Sequence, residues 1–448
     1  MKIILIQPKM NLRPMDTILK AQMSPSLALL TIKALTPKEH EVFIINENIE
    51  KIPYDIKVDL AAITVTVDVF PKACEISAEF KKRGIAVVAG GIHITAAPDE
   101  ALKYFDAICI GMAERVWKKI LIDKSNNSLE KIYCNMNDML GEEIYSPEYS
   151  LENSKKYLYV NILSASRGCI YKCDFCYNSC KNSVKYMNKP IETVIDEIKR
   201  IGRKHVMFID DNFIGNPKWT KEFLERIKPL KLKWNAAVSA DILEYLSLLD
   251  LMKESGCRSL FIGFESINGS SLKSVHKTQN KIEKYDKLIS EIHARGIMIN
   301  ASLVFGLPDD DVGVFQNTLD WLVKNKIETM TAHILTPYPG TKLYDDMMKK
   351  GKITDFDLSH YNTAHVVFQP ENMTKTELLN GYILIYKKFY SFRNIIKRMP
   401  DYKGGKAPFL LFNLFYRKFG KFTSVLSKII PLGILGKTAA YLSYGKIK

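Results

Sequence analysis

Four of the eight cysteines lie between residues 169 and 180, while the other four are scattered along the chain. Cys169, Cys173 and Cys176 are spaced CxxxCxxC, and Cys180 follows them. Three thiolates on one loop can hold three irons of a four-iron cluster and leave the fourth iron open. A closed zinc site that adds Cys180 is the alternative, but the two paired knuckles typical of such sites are missing. The spacing therefore favours an iron–sulfur cluster on Cys169, Cys173 and Cys176.

Length and composition limit the class of protein. The chain has 448 residues, enough for two or three domains. Hydrophobic residues make up 47% and charged residues 25%, as in average soluble proteins, which argues against wholesale disorder and against a membrane-spanning bundle. Only four apolar residues follow Lys2, too few for a secretory signal. We expect a cytoplasmic α/β protein.

Residues 1–120 alternate short β-branched runs with helix-length segments, which predicts a doubly wound parallel sheet of the Rossmann-like, flavodoxin-like type. The predicted strands are 3–6, 42–45, 60–67, 85–89 and 107–110. Ligands of such sheets bind at the carboxyl ends of the strands. Gly90 and Gly91 lie at one such end, although the pair could also serve only as a tight turn.

A second βα series follows a polar linker, predicted at residues 121–157. Six runs predict its parallel strands: 160–166, 206–210, 232–239, 259–264, 297–305 and 330–335. This series predicts a partial (β/α)6 barrel over residues 158–345, with its chemistry at the strand carboxyl ends. Residues 346–448 are predicted to form a helical region.

The cysteine loop follows the first barrel strand and reads CxxxCxΦC, with Phe175 as the aromatic residue. This combination resembles the radical S-adenosylmethionine (SAM) superfamily. The resemblance implies a 4Fe–4S cluster whose open iron binds SAM. It also implies that a low-potential flavodoxin or ferredoxin supplies an electron, which cleaves SAM to methionine and a 5′-deoxyadenosyl radical.

The same resemblance implies SAM contacts at the ends of later strands. The segment 208–213 is similar to the family segment that meets the SAM ammonium, and 263–266 is similar to the family's Gly-Ile-Glu-Ser element. The implied SAM-binding residues are Phe175, Asp210, Asp211, Asn212, Ser239 and Glu265. For the acidic and amide residues, capping of a helix is the alternative use.

The order of a Rossmann-like domain before a radical SAM barrel resembles the cobalamin-binding branch of the superfamily. The segments that carry this resemblance are 23–27 before the first predicted helix, 90–95 after the fourth predicted strand and 111–114 after the fifth. The cobalamin-binding residues that this resemblance implies are Ser24, Pro25, Leu27, Gly90, Gly91, His93, Thr95, Gly111 and Glu114.

Two departures from that branch bear on the cofactor. Residues 7–11 lack the DxHxxG pattern that supplies a histidine to cobalt, so the resemblance implies cobalamin without a histidine ligand. The loop 111–114 reads Gly-Met-Ala-Glu where Gly-Glu-Gly-Glu is expected. His93 is interpreted as a loop or corrin-contact residue, with a structural histidine as the alternative.

The tail combines short aromatic runs with positive charge. Residues 401–448 carry nine Lys or Arg and a single acid, Asp401. This pattern predicts an interfacial helix on anionic lipid at the inner membrane surface, and a helix that closes the barrel is the alternative. The apolar side chains predicted to enter the lipid surface are Phe409, Leu410, Phe412, Phe415 and Phe419. A nucleic-acid partner is disfavoured, because enzymes resembling tRNA methylthiotransferases carry three further clustered cysteines and a β-type carboxyl-terminal domain.

These features together predict a cobalamin-dependent radical SAM enzyme that acts on an unactivated carbon of a hydrophobic lipid or secondary metabolite by C-methylation. Oxidative cyclisation or rearrangement without methyl transfer is the alternative, and a tRNA-modifying enzyme is a lesser one. The polar, aromatic run that contains His360, Tyr361 and His365 is a candidate substrate lid. A packed connector is its alternative.

Overall fold

The computed structural model describes residues 1–16, 18–134, 140–149, 154–418, 423, 425 and 429–444. Within these residues the chain forms two six-stranded parallel sheets and a two-stranded ribbon. Helices alternate with the strands of both large sheets along the chain. The α/β architecture predicted from the sequence is confirmed.

The first sheet has strand order β2-β1-β3-β4-β5-β6. Its strands are β1 (Lys2–Gln7), β2 (Glu41–Asn46), β3 (Leu60–Thr64), β4 (Ala86–Gly90), β5 (Ala107–Ile110) and β6 (Ile132–Cys134). Residues 3–6 of β1 are fully buried because helices cover both faces of the sheet, which explains the unbroken apolar run. The flavodoxin-like strand order agrees with the sequence prediction.

Five helices accompany this sheet: α1 (Leu27–Leu35), α2 (Phe70–Lys81), α3 (Ile92–Ala96), α4 (Pro98–Ala101) and α5 (Trp117–Ser125). Ser26 caps α1 by accepting a hydrogen bond from the Leu29 amide at 3.4 Å. This cap directs the preceding loop toward the carboxyl edge of the sheet.

The predicted boundary at residue 120 is wrong, because it falls inside α5, and strand β6 lies in the predicted linker. The strand escaped detection because it has three residues, of which only Tyr133 is buried. Farther along, Ser146 and Tyr149 donate hydrogen bonds to the buried carboxylate of Glu197, at 2.7 and 3.2 Å. This part of the linker is therefore packed against the barrel.

The second sheet has order β14-β13-β12-β11-β10-β7. Its strand β7 (Ile162–Leu163) precedes the ribbon of β8 (Ser166–Arg167) and β9 (Met187–Asn188). The remaining strands are β10 (His205–Phe208), β11 (Lys233–Val238), β12 (Cys257–Glu265), β13 (Met298–Phe305) and β14 (Thr329–Ile334). Since β7 and β14 are the two edges, the sheet is the predicted partial barrel.

Amphipathic helices cover the outside of this barrel: α6 (Ile191–Ile201), α7 (Pro217–Ile227), α8 (Leu246–Ser255), α9 (Gly269–Ser274), α10 (Tyr285–Ala294), α11 (Val314–Lys324) and α12 (Lys342–Lys349). The helical region that follows contains α13 (Lys375–Phe389), α14 (Phe392–Lys397), α15 (Lys406–Leu410), a π-helix (Leu411–Lys418) and α16 (Leu432–Tyr444).

Tyr386 of α13 and Tyr390, which directly follows that helix, satisfy free backbone groups of the edge strand β14. The Tyr390 hydroxyl accepts from the Met330 amide at 3.1 Å and donates to the Met330 carbonyl at 2.9 Å. The Tyr386 hydroxyl does the same at Ala332, at 2.8 and 3.1 Å. An unpaired strand edge is a site for aggregation, so these two hydroxyls replace a missing neighbour strand.

A buried arginine extends this edge cap to the tail. Arg398 donates to the carbonyls of Ile327 and Glu328 at 2.8 and 2.9 Å and to that of Phe389 at 2.8 Å. It also donates to Asn413 Oδ1 at 3.2 Å. Burial lowers the pKa of Arg398 to about 10, so the guanidinium stays charged at neutral pH.

The tail packs on the fold. Phe409, predicted to enter the membrane, is fully buried against Arg398, and this part of the membrane prediction is wrong. Gly433 of α16 lies against Lys155. Phe419, Lys421 and Phe422 lie outside the described residues. None of the described helices is both long enough and apolar enough to cross a membrane.

Replacing Arg398 by Met should lower the free energy of unfolding by about 3 kcal/mol, because it leaves buried carbonyls without a donor. Urea unfolding followed by circular dichroism measures the change. Arg393→Met is the matched control, since Arg393 is exposed in α14, and it should shift stability by no more than about 0.5 kcal/mol. Equal stability of the two variants would show that the buried arginine does not hold the edge.

Candidate active site

The cysteine loop leaves the ribbon through a turn that requires glycine. Gly168 has φ of +71°, and a Cβ there would lie 2.6 Å from the Val184 carbonyl oxygen. The loop is held at its centre by Asp174, whose carboxylate accepts from Lys342 of α12 at 2.9 Å. His276 lies 2.8 Å from the same carboxylate. These contacts place the loop at the carboxyl edge of the barrel.

The three predicted cluster ligands lie in one electrostatic environment. Cys173 is buried, while Cys169 and Cys176 are partly buried. Burial, with the neighbouring Cys173, raises the pKa of Cys176 to about 12. Lys277 opposes this shift, because its ammonium lies close enough to Cys173 and Cys176 to interact with both. Gln279 Nε2 donates to Cys173 Sγ at 3.7 Å.

Cys180 is buried but has different neighbours. Burial raises its thiol pKa, and its charged neighbour is Lys172 rather than Lys277. No group of three or more His, Cys, Asp or Glu side chains in the described part of the chain is arranged to hold a single metal ion. The assignment of Cys169, Cys173 and Cys176 to the cluster, without Cys180, stays a prediction.

Asp210, a predicted SAM contact, has its carboxylate occupied by the protein. It accepts from the Ala165 amide at 3.0 Å and from the Ser166 hydroxyl at 2.5 Å. The side chain is 4% exposed. Asp210 therefore joins the end of β10 to the turn that precedes the cysteines.

Asp211, Asn212 and Ser239 lie beside the cysteine loop. Burial raises the pKa of Asp211, and a hydrogen bond with Asn178 opposes that shift. Asn212 Nδ2 donates to Ser239 Oγ at 3.2 Å. Ser239 and Tyr171 each donate a short hydrogen bond to Asp241. The ends of β10 and β11 thus meet the loop through one polar network, and the SAM contacts at these residues stay predictions.

Glu265 ends β12 with φ of +62°, at an irregularity in the pairing with β13. Its carboxylate accepts from Lys277 at 2.8 Å, and both side chains are nearly buried. Lys277 also lies 6.0 Å from the centroid of the Phe175 ring. Glu265 therefore positions the cation that faces the thiols, while its SAM contact stays a prediction.

A cavity of about 200 Å³ opens at the carboxyl edge of the first sheet. Four predicted cobalamin contacts line it: Gly90, Gly91, Gly111 and Glu114. Gly91 has φ of +116°, and a Cβ there would lie 2.6 Å from the Val65 carbonyl oxygen. Arg167 lines the same cavity although it belongs to the barrel.

Four other predicted cobalamin residues surround the cavity without lining it. Thr95 Oγ1 accepts from the Gly111 amide at 3.0 Å and so fixes that loop. Pro25 and Leu27 are buried, and Ser24 is half-buried at the start of the α1 region. Contacts of these residues with cobalamin stay predictions.

His93, a predicted corrin contact, has a fully buried ring that packs edge-on against Phe70 at 4.7 Å. Burial lowers its pKa to about 4, so the imidazole is neutral. The ring does not line the cavity. Neither ring nitrogen has a hydrogen-bond partner among the described residues, so the contact of His93 with cobalamin stays a prediction beside the structural alternative.

The run from His360 to His365, the candidate substrate lid, packs partly on the fold. Tyr361 is 1% exposed, and its hydroxyl donates to the Asp355 carbonyl at 2.8 Å. The rings of His360 and His365 stack at 4.8 Å. Asn11 of the first domain donates to the Ser359 carbonyl at 2.8 Å. Burial of Tyr361 in the core favours the packed connector, while the His360 side chain is 37% exposed, and the lid role stays a prediction.

Three residues escaped the sequence reasoning: Arg167, Tyr171 and Lys277. Arg167 and Tyr171 lie within the cysteine motif itself, and only the fold reveals which neighbours they contact. Lys277 lies twelve residues after its partner Glu265, which ends β12. No motif in the sequence singles it out. A basic residue near thiol ligands could have been sought, but its position depends on tertiary packing.

Comparison with known proteins identifies the family. The profile of the Radical SAM superfamily matches residues 163–322. Bacteriochlorophyllide d C-12(1)-methyltransferase of Chlorobaculum tepidum is 31% identical over 410 residues, which cover 89% of this chain and 89% of that protein. The chain belongs to the cobalamin-binding radical SAM enzymes.

Two further proteins agree with this assignment. Bacteriochlorophyllide d C-8(2)-methyltransferase of the same organism is 28% identical over 391 residues, which cover 83% of this chain and 87% of that protein. The solved structure of the cobalamin-dependent SAM radical enzyme OxsB, with aqua-cobalamin and SAM bound, shares the fold with a TM-score of 0.66 at 16% identity. That match covers 99% of this chain and 77% of the OxsB chain.

The cofactors of a cobalamin-binding radical SAM enzyme suit the described residues. The donor set of three thiols beside Lys277 suits a 4Fe–4S cluster with one open iron for SAM. The cavity of about 200 Å³ is apolar and far smaller than a corrin, so it can admit only a narrow part of cobalamin, such as its heterocyclic base. When bound, the cluster and SAM supply a carbon-centred radical, and cobalamin carries a methyl group.

Replacing Cys173 by Ala should abolish the iron–sulfur cluster, because only two ligands of the predicted set remain. Iron content and the visible absorption spectrum after anaerobic reconstitution measure the loss. Cys180→Ala is the matched control, since Cys180 is also buried on the same loop, and it should retain the cluster. Cluster loss in Cys180→Ala would contradict the assignment of the three ligands.

Proposed function

We propose that this enzyme transfers a methyl group to an unactivated carbon of a large, hydrophobic small molecule. The observation that carries the proposal is the position of Arg167. This residue lies two positions before Cys169 and lines the cavity of the first domain, so one turn borders both cofactor sites. A substrate bound at this turn can meet the radical from one side and the methyl carrier from the other.

Residue roles follow from the same geometry. Cys169, Cys173 and Cys176 would hold the cluster, and Lys277, positioned by Glu265, would offset part of their negative charge. Asp211, Asn212 and Ser239 lie beside the cysteine loop, where their carboxylate and amide oxygens would suit the ammonium group of SAM. Gly90, Gly91, Gly111 and Glu114 hold part of cobalamin in the cavity.

Arg167 has a positioning role in this proposal. Its guanidinium donates to Ser164 Oγ at 3.1 Å. Burial raises the pKa of Glu114, and the charge of Arg167 opposes that shift, so the two side chains are electrostatic neighbours. Arg167 therefore offers donors to oxygen atoms of the bound cofactor. A low-potential flavodoxin or ferredoxin supplies the electron for SAM cleavage.

The two relatives act on bacteriochlorophyllide d, by the names they carry. Both substrates are large and mostly apolar, which supports a substrate of similar character here. The cobalamin is held without a histidine ligand, since residues 7–11 offer no histidine and His93 is buried away from the cavity.

The methyl-transfer proposal predicts two products from SAM. The reconstituted, reduced enzyme with cobalamin and a panel of hydrophobic substrates that includes bacteriochlorophyllide d should form both S-adenosylhomocysteine and 5′-deoxyadenosine. Mass spectrometry measures them, and Cys173→Ala should form no 5′-deoxyadenosine. Formation of 5′-deoxyadenosine without S-adenosylhomocysteine would contradict methyl transfer and favour cyclisation or rearrangement.

We also propose that the tail region contacts anionic membrane. Several of its large apolar side chains are exposed: Phe392, Ile396, Phe415, Ile429, Ile434, Tyr441 and Leu442. The last five of these side chains lie in residues 401–448, which carry nine cations and one acid. Each Lys or Arg near an anionic leaflet contributes about 1 kcal/mol, which supports reversible binding.

The membrane proposal predicts that the full-length protein co-sediments with phosphatidylserine vesicles and does so several-fold less at high salt. The double variant Phe415→Ser, Ile434→Ser should bind several-fold less, because it removes two exposed apolar groups. Ile122→Ser is the control, since Ile122 is an exposed apolar residue of α5. If the double variant and the control bind alike, the tail is not the membrane contact.

A further inference from the structure

A cavity of about 580 Å³ lies at the amino end of the barrel, within the range of about 300–1,000 Å³ that is typical of small-molecule sites. Its barrel wall consists of residues 159–161, directly before β7, and residues 202–205, which lead into β10. The cysteine loop lies at the carboxyl end of these parallel strands. The cavity is therefore separate from both cofactor sites.

The outer wall of the cavity is α16, which two glycines bring close to the chain before the barrel. A Cβ at Gly433 would lie 3.4 Å from the Lys155 Cα, and a Cβ at Gly436 would lie 2.2 Å from the Leu158 carbonyl oxygen. Only glycine permits the approach at Gly436, so α16 has a defined position against this wall. The helix contributes four further lining residues: Ile434, Lys437, Ala440 and Tyr441.

The charged residues of the described lining are all basic: Lys155, Arg203, Lys204 and Lys437. Each of them is exposed. Lys204 donates to the Leu230 carbonyl at 2.9 Å, and the other three form no ion pair in the described part of the chain. Glu50, an acid beside this region, pairs with Lys156 at 3.0 Å. The mouth of the cavity therefore carries an excess of positive charge.

The interior of the cavity is apolar and aromatic. Its apolar lining residues are Tyr157, Leu158, Tyr159, Val160, Pro431, Ile434, Ala440 and Tyr441. His205 adds no charge, because burial lowers its pKa to about 4. The Tyr159 hydroxyl has no hydrogen-bond partner among the described residues, and burial raises its pKa, so it can donate to an oxygen of a ligand. The cavity thus combines a cationic mouth with an apolar interior.

We propose that this cavity binds one molecule of an acidic phospholipid, with the phosphate at the cationic mouth and an acyl chain in the apolar interior. A neutral lipid would leave the cations without a counter-ion, and a free phosphate would leave the apolar walls in water. The choice of a lipid rests on the proposed membrane contact, since Ile434 and Tyr441 belong to both. The bound lipid would hold the amino end of the barrel at the leaflet, with the cysteine loop on the opposite side.

Titration calorimetry of the full-length protein with monomeric lipid tests the site. Dioctanoyl phosphatidylglycerol and dioctanoyl phosphatidylcholine, each below its micelle concentration, have the same acyl chains, and only the first carries a net charge. We expect one phosphatidylglycerol to bind per chain, about tenfold more tightly than phosphatidylcholine, and less tightly at high salt. Absence of saturable phosphatidylglycerol binding would overturn the proposal. Equal affinity for the two lipids would do the same, because the cations would then play no part.

Two variants place the lipid in the cavity. The double variant Arg203→Gln, Lys437→Gln should bind phosphatidylglycerol about tenfold more weakly, because it removes two cations of the mouth. Its matched control is Lys218→Gln, Lys221→Gln, which removes two exposed lysines of α7 outside the lining and should bind as wild type.

Ala440→Phe should weaken binding of both lipids several-fold, because the larger ring occupies the cavity. Thr438→Phe is its control, since Thr438 is exposed on the same helix and does not line the cavity. Circular dichroism melting shows whether each variant keeps the fold. Wild-type affinity in either Ala440→Phe or the double variant of Arg203 and Lys437 would place the lipid elsewhere.

The cavity site and the membrane contact can fail separately, because monomeric lipid offers no membrane surface. A protein that binds monomeric phosphatidylglycerol but does not co-sediment with phosphatidylserine vesicles would refute the membrane contact and leave the cavity site in place. A protein that co-sediments with the vesicles but binds no monomeric lipid would refute the cavity site and leave the membrane contact in place.

Discussion

The buried carboxylate of Asp210 fixes the turn on which both cofactor sites depend. It accepts from the Ala165 amide and the Ser166 hydroxyl, and so ties the end of β10 to the start of the Ser166–Arg167 strand. Gly168 then reverses the chain toward Cys169. A buried carboxylate with several donors is strongly directional, so it orients Arg167 and Cys169 together. Loss of this contact would disturb the two sites at once.

Charge compensation around the thiols follows from the same edge of the barrel. Thiolates are costly to bury, and Lys277 is the buried cation that faces Cys173 and Cys176. Glu265 holds Lys277 in place from a strained position with φ of +62°. Strain of this kind is maintained where surrounding structure requires a particular side-chain direction. Here the required direction is that of the carboxylate toward Lys277.

The interface between the domains combines apolar packing, as between Leu30 and Ile162, with several short polar contacts. Asn182 of the cysteine region donates to the Thr95 carbonyl at 3.1 Å, and Asn11 donates to the Ser359 carbonyl at 2.8 Å. Arg13 of the first domain lies 3.5 Å from the His333 ring of β14. The strand ends of the two sheets are thereby held near one another. Substrate chemistry that needs two cofactors requires such a fixed distance.

Local patterns were sufficient to predict the strands and the cluster motif. Unbroken β-branched runs reveal buried parallel strands because both faces of the sheet are covered, as residues 3–6 illustrate. Ligand spacing reveals a cluster site because its three thiols lie on one short loop. The three-residue strand β6 gave no comparable signal, since it offers one buried side chain.

By itself, the sequence determined the two βα series, the three cysteines and the loops at the strand ends, because each is encoded by neighbouring residues. Only the tertiary structure decided that Asp210 holds the main chain, that His93 and Tyr361 lie in the core, and that Phe409 packs on Arg398. It also decided that Lys277 faces the thiols. These properties depend on the direction of a side chain and on partners far away in the chain, and neither is encoded in local residue spacing.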